Sequence, residues 1–510
     1  MAITGLGGVG GLASGMDTSA LINKLMQLEA QPLIGIKTQQ KKVDLRKGLL
    51  QEINSSLLAL KTKAEALAKS ENIQTKKVST SNDKTATATI NDATKVVAGT
   101  YNVTVTNLAT ALSAKSADQS ARTNPTTKQL GYSGTFDITW NDGTTSKTSQ
   151  SISIVATDTL ASIASKINNA VDNSNTPAKM RVKATVVDNT LIVASEETGA
   201  NRTIQFGGPD AQAIFGSAGM GLVNGSGKLD ITAVSGGQGG TAGGNANLKV
   251  NGVDITRASN TNLTDVILGV SLNLNDAGSA TLQVDPDLDA SVGKIKEFVT
   301  QYNSTIDLIR TRLTEKPDPE ATTDFGMGKG LLRADSALIN IETSLRASLT
   351  TTFSSSSVYK NLRSLGIDID KTDNGISGKL AIDETKLRAE LTKNPGEVQK
   401  LFFVDSNGND KLDEKDNSTA SGFVGLLNNK LFMQTDTTAQ KYGNNSTPKG
   451  IIPSRIKNLE TTYKSYDDKI EDFNRRLDMK RSYLQAQFTA MEKLMQQNQS
   501  VVGFLQQRMG

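Results

Sequence analysis

A seven-residue repeat near the C-terminus constrains this chain more than any other feature. Positions Ile456, Tyr463, Ile470, Leu477, Leu484, Met491, Asn498 and Leu505 fall at intervals of seven, and seven of the eight are apolar. Leu459, Tyr466, Phe473, Leu494 and Val501 lie on the adjoining seam. A buried helix of a globular domain rarely sustains so many repeats in register, so the pattern predicts a long coiled-coil arm. Asn498, an amide in the apolar series, fits a residue that fixes register at a cost in stability, and equally a tolerated polar residue near a frayed end. The N-terminal part has the same character. Ile36, Val43, Leu50, Leu57 and Ala64 repeat in sevens, with Ile53, Leu60 and Leu67 as companions. Before them, DTSALINKLMQLEAQP offers Asp17 as N-cap, an apolar stripe of Leu21, Ile22, Leu25, Met26 and Leu28, and a stop at Pro32.

Between the helical ends the texture changes. Residues 78–286 are rich in Thr, Ser, Asn, Asp and Gly, with short alternating runs such as TYNVTVT, GTFDITW and SISIVA that read as half-buried strands. One helix interrupts them, capped by Asp158, with Leu160, Ile163, Ile167 and Val171 on one face. MRVKATVVDNTLIVAS predicts two strands around an Asp-Asn turn, and SGGQGGTAGGNA, 235–246, reads as a flexible linker. LKVNGVDI carries Asn251-Gly252, the strongest short hairpin signal present, and VSLNLNDAGSATLQV looks like a second hairpin. Helices return near Pro286, where Val292, Ile295, Phe298, Tyr302, Ile306, Ile309 and Leu313 keep a 3-4 spacing.

The inventory of residue types excludes more than the averages do. The 510-residue chain has no His and no Cys, so it cannot make a zinc finger, a thiol nucleophile or a Ser-His-Asp triad. GLGGVG, Gly5 to Gly10, fits a dinucleotide-binding pattern, but only MAIT precedes it, too little for the strand that must deliver the first glycine. Glu29, at the spacing of a ribose ligand, lies inside a helical pattern. A non-enzymatic chain without cofactor is expected. The net charge of +4 is small, and no basic block interleaves with aromatics, which gives nucleic-acid binding no support. No run of about 18 apolar residues and no ordinary secretory signal are present, so neither membrane insertion nor a cleaved leader is expected. Aromatics at 4% suit elongated modules with thin cores. The expected fold class is α+β multidomain: terminal coiled-coil helices form a helical leg domain, and β-rich domains are inserted between them.

GLASGMDTSALINKLMQLEAQPL, LKVNGVDITRASNTNLTDVILGVSLNL, LRSLGID with GKLAIDETKL, and RLDMKRSYLQAQFTAMEKLMQQNQS together resemble the flagellar filament-capping family, the hook-associated protein 2 family. DTLASIASKINNAV is similar to the IN motif of flagellin and hook-associated proteins. The resemblance implies a secreted structural protein at the distal tip of the flagellum that promotes flagellin folding and insertion, exported unfolded without cleavage of a signal. The glycines of GLGGVG then report flexibility. The partners implied are flagellin, other copies of the chain in a cap ring, the hook-filament junction protein at the start of assembly, and a flagellar export chaperone acting on the C-terminal region.

On this reading 1–43 and 478–510 are coiled-coil legs, 44–77 and 287–477 a helical leg domain, 78–112 and 236–286 an inner β domain, and 113–235 an outer β domain with one helix. The seam expected to bind the filament and other copies is Leu21, Leu25, Leu28, Leu477, Leu484, Met491, Leu494, Asn498 and Leu505. A surface-exposed adhesin remains an alternative, as does another axial protein such as flagellin or a hook-filament junction protein.

One stretch carries separate chemistry. In DSNGNDKLDEKD, Asp405, Asn407, Asn409, Asp413 and Asp416 take positions 1, 3, 5, 9 and 12 of an EF-hand-like calcium loop, with Leu412 at the apolar eighth place. Asp410 replaces the glycine of the sharp turn, and Asp416 stands where a bidentate Glu is usual. A solvated Asx-rich loop is the competing reading.

Overall fold

The computed structural model describes residues 17–123, 128–231, 239–408, 411–413, 415–442 and 445–509. The glycines of GLGGVG, together with Asn409 and Asp410, lie outside them. Contacts divide the chain into two compact units, one of 1–73 with 289–510 and one of 74–288.

The first unit begins with α1 (Thr18–Glu29), where the Asp17 carboxylate accepts the Ala20 N–H at 2.8 Å. Pro32 falls in the opening turn of α2 (Gln31–Ala68), where a missing N–H leaves no bond unmade. Leu50, Ile53, Leu57, Leu60, Ala64 and Leu67 of α2 are wholly buried, as its seven-residue spacing requires. The short α3 (Ser70–Ile73) closes this segment.

The second unit opens with β1 (Lys76–Thr80), β2 (Ala86–Ile90), β3 (Gly99–Asn107) and β4 (Ala111–Lys115). β5 (Gly134–Asn141), β6 (Ser146–Thr148) and β7 (Ile152–Ile154) lead to α4 (Leu160–Asn168). β8 (Val182–Val187), β9 (Thr190–Thr198), β10 (Thr203–Gly207) and α5 (Ala211–Phe215) follow. β11 (Gly240–Thr241), β12 (Ala246–Val250), β13 (Val253–Arg257), β14 (Leu263–Ile267), β15 (Val270–Leu274) and β16 (Gly278–Pro286) complete it.

Two apolar cores occupy this unit. One lies between a five-stranded sheet, β1-β16-β3-β12-β13, and a three-stranded sheet, β14-β15-β2, and contains Val103, Val105, Leu248, Leu272 and Leu282. The other is built from β5 with β10, β6 and β7, from β11-β4-β9-β8, and from both short helices. There Phe136, Phe206 and Phe215 meet, the rings of Phe136 and Phe215 edge to face at 4.7 Å.

Four sequence expectations change here. The outer region holds two helices, because Ala211, Ile214 and Phe215 of α5 bury a second apolar face. Thr159 caps α4 in a capping box with Ser162. Asp158 sits one residue earlier and accepts the Val155 N–H and the Ser162 hydroxyl. VSLNLNDAGSATLQV is not a hairpin. β15 already has β14 on one edge and β2 on the other, so β16 crosses to the second sheet between β1 and β3. The described part of the proposed linker is not free chain either: Gly240 and Thr241 pair with β4. Its glycines permit close approach, since a Cβ on Gly240 would stand 2.0 Å from the Ser113 carbonyl oxygen.

The IN motif also acquires a physical role. Asn168, the last residue of α4, donates its amide to the Ala184 carbonyl at 2.8 Å and accepts the Ala184 N–H at 2.7 Å. β8 lies at the end of its sheet, so this side chain occupies backbone groups on an edge that would otherwise offer them to another strand.

The first unit resumes with α6 (Leu288–Thr314), in which all seven residues of the 3-4 series are buried. Then come α7 (Asp324–Gly328), α8 (Ser336–Thr350), β17 (Ile367–Ile369), β18 (Leu380–Ile382), α9 (Glu384–Lys393), α10 (Pro395–Phe402) and α11 (Gly422–Thr435). β19 (Ala439–Tyr442) and β20 (Asn445–Pro448) form a hairpin ahead of α12 (Ile451–Met509). Boundaries drawn at 43/44 and 477/478 fall inside continuous helices, and the helical region carries two small hairpins as well.

Candidate functional site

α12 packs along α2, and α1 packs against α12. Polar pairs pin this arrangement at intervals. Near its start, Arg455 of α12 and Arg46 of α2 converge on Asp335, the N-cap of α8, at 2.5 and 3.2 Å. Burial opposes ionisation of Asp335, but the hydrogen bond and charge of Arg455 outweigh it and hold the carboxyl down at about 2. Farther along, the Lys47 ammonium stands 5.4 Å from the Tyr463 ring centroid, and the Gln40 amide bonds Asp467. The outermost pair is Lys480 with Glu29, at 3.5 Å.

The apolar seam is far less satisfied than these pins suggest. Among the described residues of the 59-residue α12, only Ile452 and Pro453 are buried. Ile456, Tyr463, Ile470, Leu477, Leu484 and Met491 are half-buried, and Leu494, Asn498, Val501 and Leu505 are exposed. α1 divides its apolar residues between two faces. Ile22 and Met26 are buried, whereas Leu21, Leu25 and Leu28 are between 36% and 69% exposed. The single stripe read from the sequence is therefore two stripes, because five apolar positions in eight residues span more of a helix surface than one neighbour covers. The structure leaves a polar-pinned helical arm with an apolar strip open to solvent on both terminal segments.

Sequence reasoning did not find Asp335. Its signal was available, since Asp335-Ser336-Ala337-Leu338 repeats the N-cap pattern read at Asp17. Phe325, 72% exposed on α7, was also missed, because one isolated aromatic in a Gly-rich stretch carries no periodic signal.

In the Asp405–Asp416 loop the structure describes Asp405, Asn407, Asp413 and Asp416 of the predicted ligands, and Asn409 lies outside the described residues. Asp405 accepts the N–H groups of Asn407 and Gly408, and Asp413 accepts the Asn407 amide. Asp416 is buried and accepts from Ser406 and from the Asp413 N–H. Among the described residues no group of three or more acidic side chains is placed to hold a metal ion. The contacts of Asp405 with the Asn407 and Gly408 N–H groups are those of an Asx turn.

Family models for the flagellar hook-associated protein 2 N-terminus and C-terminus match residues 14–112 and 243–500. The chain belongs to the flagellar hook-associated protein 2 family. A hook-associated protein 2 from Halalkalibacterium halodurans is 27% identical, with 98% of this chain and 99% of the relative covered. The Escherichia coli K12 member is 28% identical over 98% of this chain and 97% of its own length. A crystal structure of the D1, D2 and D3 domains of the Escherichia coli flagellar cap protein matches with a TM-score of 0.59 at 27% identity. It covers 81% of this chain and 99% of that one. The N-terminal match takes in α1 and α2, and the C-terminal match takes in α12 as far as residue 500, so the exposed Leu21, Leu25, Leu28, Leu494 and Asn498 lie within the matched segments.

Proposed function

We propose that the chain is a structural cap at the distal end of the bacterial flagellar filament, secreted to that site, where it promotes flagellin folding and insertion as the filament elongates. The observation that carries this reading is the open seam of α12 and α1 in a chain that matches hook-associated protein 2 relatives over 98% of its length and a flagellar cap protein structure over 81%. Each exposed Leu on that seam contributes about 1.5 to 3 kcal/mol when a neighbour covers it. A few per subunit hold a cap in place while still letting it step.

The neighbours we infer are flagellin subunits and other copies of the chain. A hook-filament junction protein at the start of assembly and an export chaperone on the C-terminal region complete the set. The role is non-catalytic: without His or Cys, the commonest catalytic constellations have no side chains to be built from. Among the described residues no helix is long and apolar enough to cross a membrane. Deletion of the gene tests the proposal. Short or absent filaments with monomeric flagellin shed into the medium are expected, and unchanged filament length with flagellin retained would overturn it.

A further inference from the structure

Asn-Gly is the sequence most prone to spontaneous deamidation, because glycine leaves its backbone nitrogen open to the preceding amide. The dipeptide occurs four times, at Asn224-Gly225, Asn251-Gly252, Asn374-Gly375 and Asn407-Gly408. All four asparagines are exposed, so access to water does not distinguish them. Their side chains do. The Asn224 carbonyl oxygen accepts the N–H groups of Ser226 and Lys228 and the Ser226 hydroxyl. The Asn251 carbonyl oxygen accepts the Asn102 N–H at 2.8 Å from the neighbouring strand. The Asn407 amide donates to Asp413 at 3.1 Å. In contrast, the Asn374 side-chain amide has no hydrogen-bond partner among the described residues; the positive φ of Asn374 and Gly375, 58° and 74°, is shared with Asn251 and Gly252, so the free amide is what sets Asn374 apart.

We infer that Asn374 is the site at which this protein deamidates in its folded state. The Gly375 nitrogen attacks the Asn374 side-chain carbonyl carbon, forming a C–N bond. Ammonia leaves, carrying the proton that the nitrogen gives up. Water then opens the five-membered imide at either of its two carbonyls, giving aspartate or isoaspartate at 374. Nothing but water is consumed, so the change accumulates with the age of the molecule.

The position gives the change a structural consequence. Arg346 donates to the carbonyls of Gly375 and Ile376 at 2.9 and 3.1 Å, and Arg310 donates to that of Ile376. Arg310 and Arg346 also pair with Glu342. The loop thus ties α6 to α8. Isoaspartate adds a methylene to the backbone immediately before these two carbonyls, and either product adds a carboxylate.

The test is incubation of the full-length protein in mildly alkaline buffer, native and in urea, followed by peptide mapping with fragmentation that separates aspartate from isoaspartate. In the native sample the peptide containing Asn374 should convert about tenfold faster than those containing the other three. In urea the four rates should converge. Equal native rates, or faster conversion at Asn224, Asn251 or Asn407, would overturn the inference. So would a rate advantage for Asn374 that persists in urea, because the cause would then be local sequence.

Discussion

α6 and α12 carry apolar residues at comparable helical spacing, yet they meet opposite fates. Ten residues of the 27-residue α6 are buried, among them Phe298, whose ring meets that of Phe423 edge to face at 5.5 Å. Two of the 59 described residues of α12 are buried. Helical periodicity therefore states that a face is prepared for contact, while the number of neighbours within the chain decides whether the contact is internal. α6 is held on several sides and serves as core. α12 meets α2, α11 and β20 along its first part and α1 beyond, and among the described residues nothing covers the remainder of its seam.

The largest break in this comparison should come from α6. Phe298→Ala should cost about 3 to 5 kcal/mol in denaturant unfolding, because it removes a fully buried ring and leaves a cavity. Asp335→Ala should follow at about 3 kcal/mol, since it leaves the Arg455 and Arg46 guanidinium groups without their shared carboxylate. The same carboxyl supplies a pH signature. Its folded value lies below the ordinary Asp value of about 4, so its stabilisation is present above that value and is lost as pH falls toward about 2. Acid unfolding of Asp335→Asn should lack that component, and an unchanged acid limb would show that the pairing adds nothing.

Asn168→Ala should cost about 1 to 3 kcal/mol, because the Ala184 N–H and carbonyl lose their partner. It should also raise self-association through the uncovered β8 edge, which light scattering would detect. A monomeric, equally stable variant would remove the edge-guarding role.

The smallest effect on stability should come from the seam itself. Leu494→Asp with Leu505→Asp should leave the melting transition of the isolated protein nearly unchanged, within about 0.5 kcal/mol, because both positions are exposed. Attachment at filament tips, scored by electron microscopy with a label on the cap, should be lost. A large fall in melting temperature would show that this part of α12 is core and would erase its contrast with α6.

Legibility varied with the range of the interaction. The Asn251-Gly252 hairpin was readable because two positive-φ residues, at 50° and 85°, turn the strand locally. The Asp188-Asn189 turn between β8 and β9 was readable from its residue types, with φ of 50° at Asp188 alone, as was the buried series of α6 from its spacing. β15 and β16 were misread as a hairpin because their short Asn-Asp-Ala connection is local, whereas the prior claim of β2 on β15 comes from residues far earlier in the chain. Likewise, the glycines near 240 read as flexibility until the Ser113 backbone is placed against them.

By itself, the order of residues determined the helical ends, the alternating β centre, the absence of thiol and imidazole chemistry and the two apolar seams. Each of these follows from local propensity, periodicity or simple inventory. Only the tertiary structure decided which seam is buried, which face of α1 remains open, and that Asp335 gathers Arg46 and Arg455. Burial is a property of neighbours brought from distant parts of the chain, and periodicity in one helix contains no information about how many of them arrive.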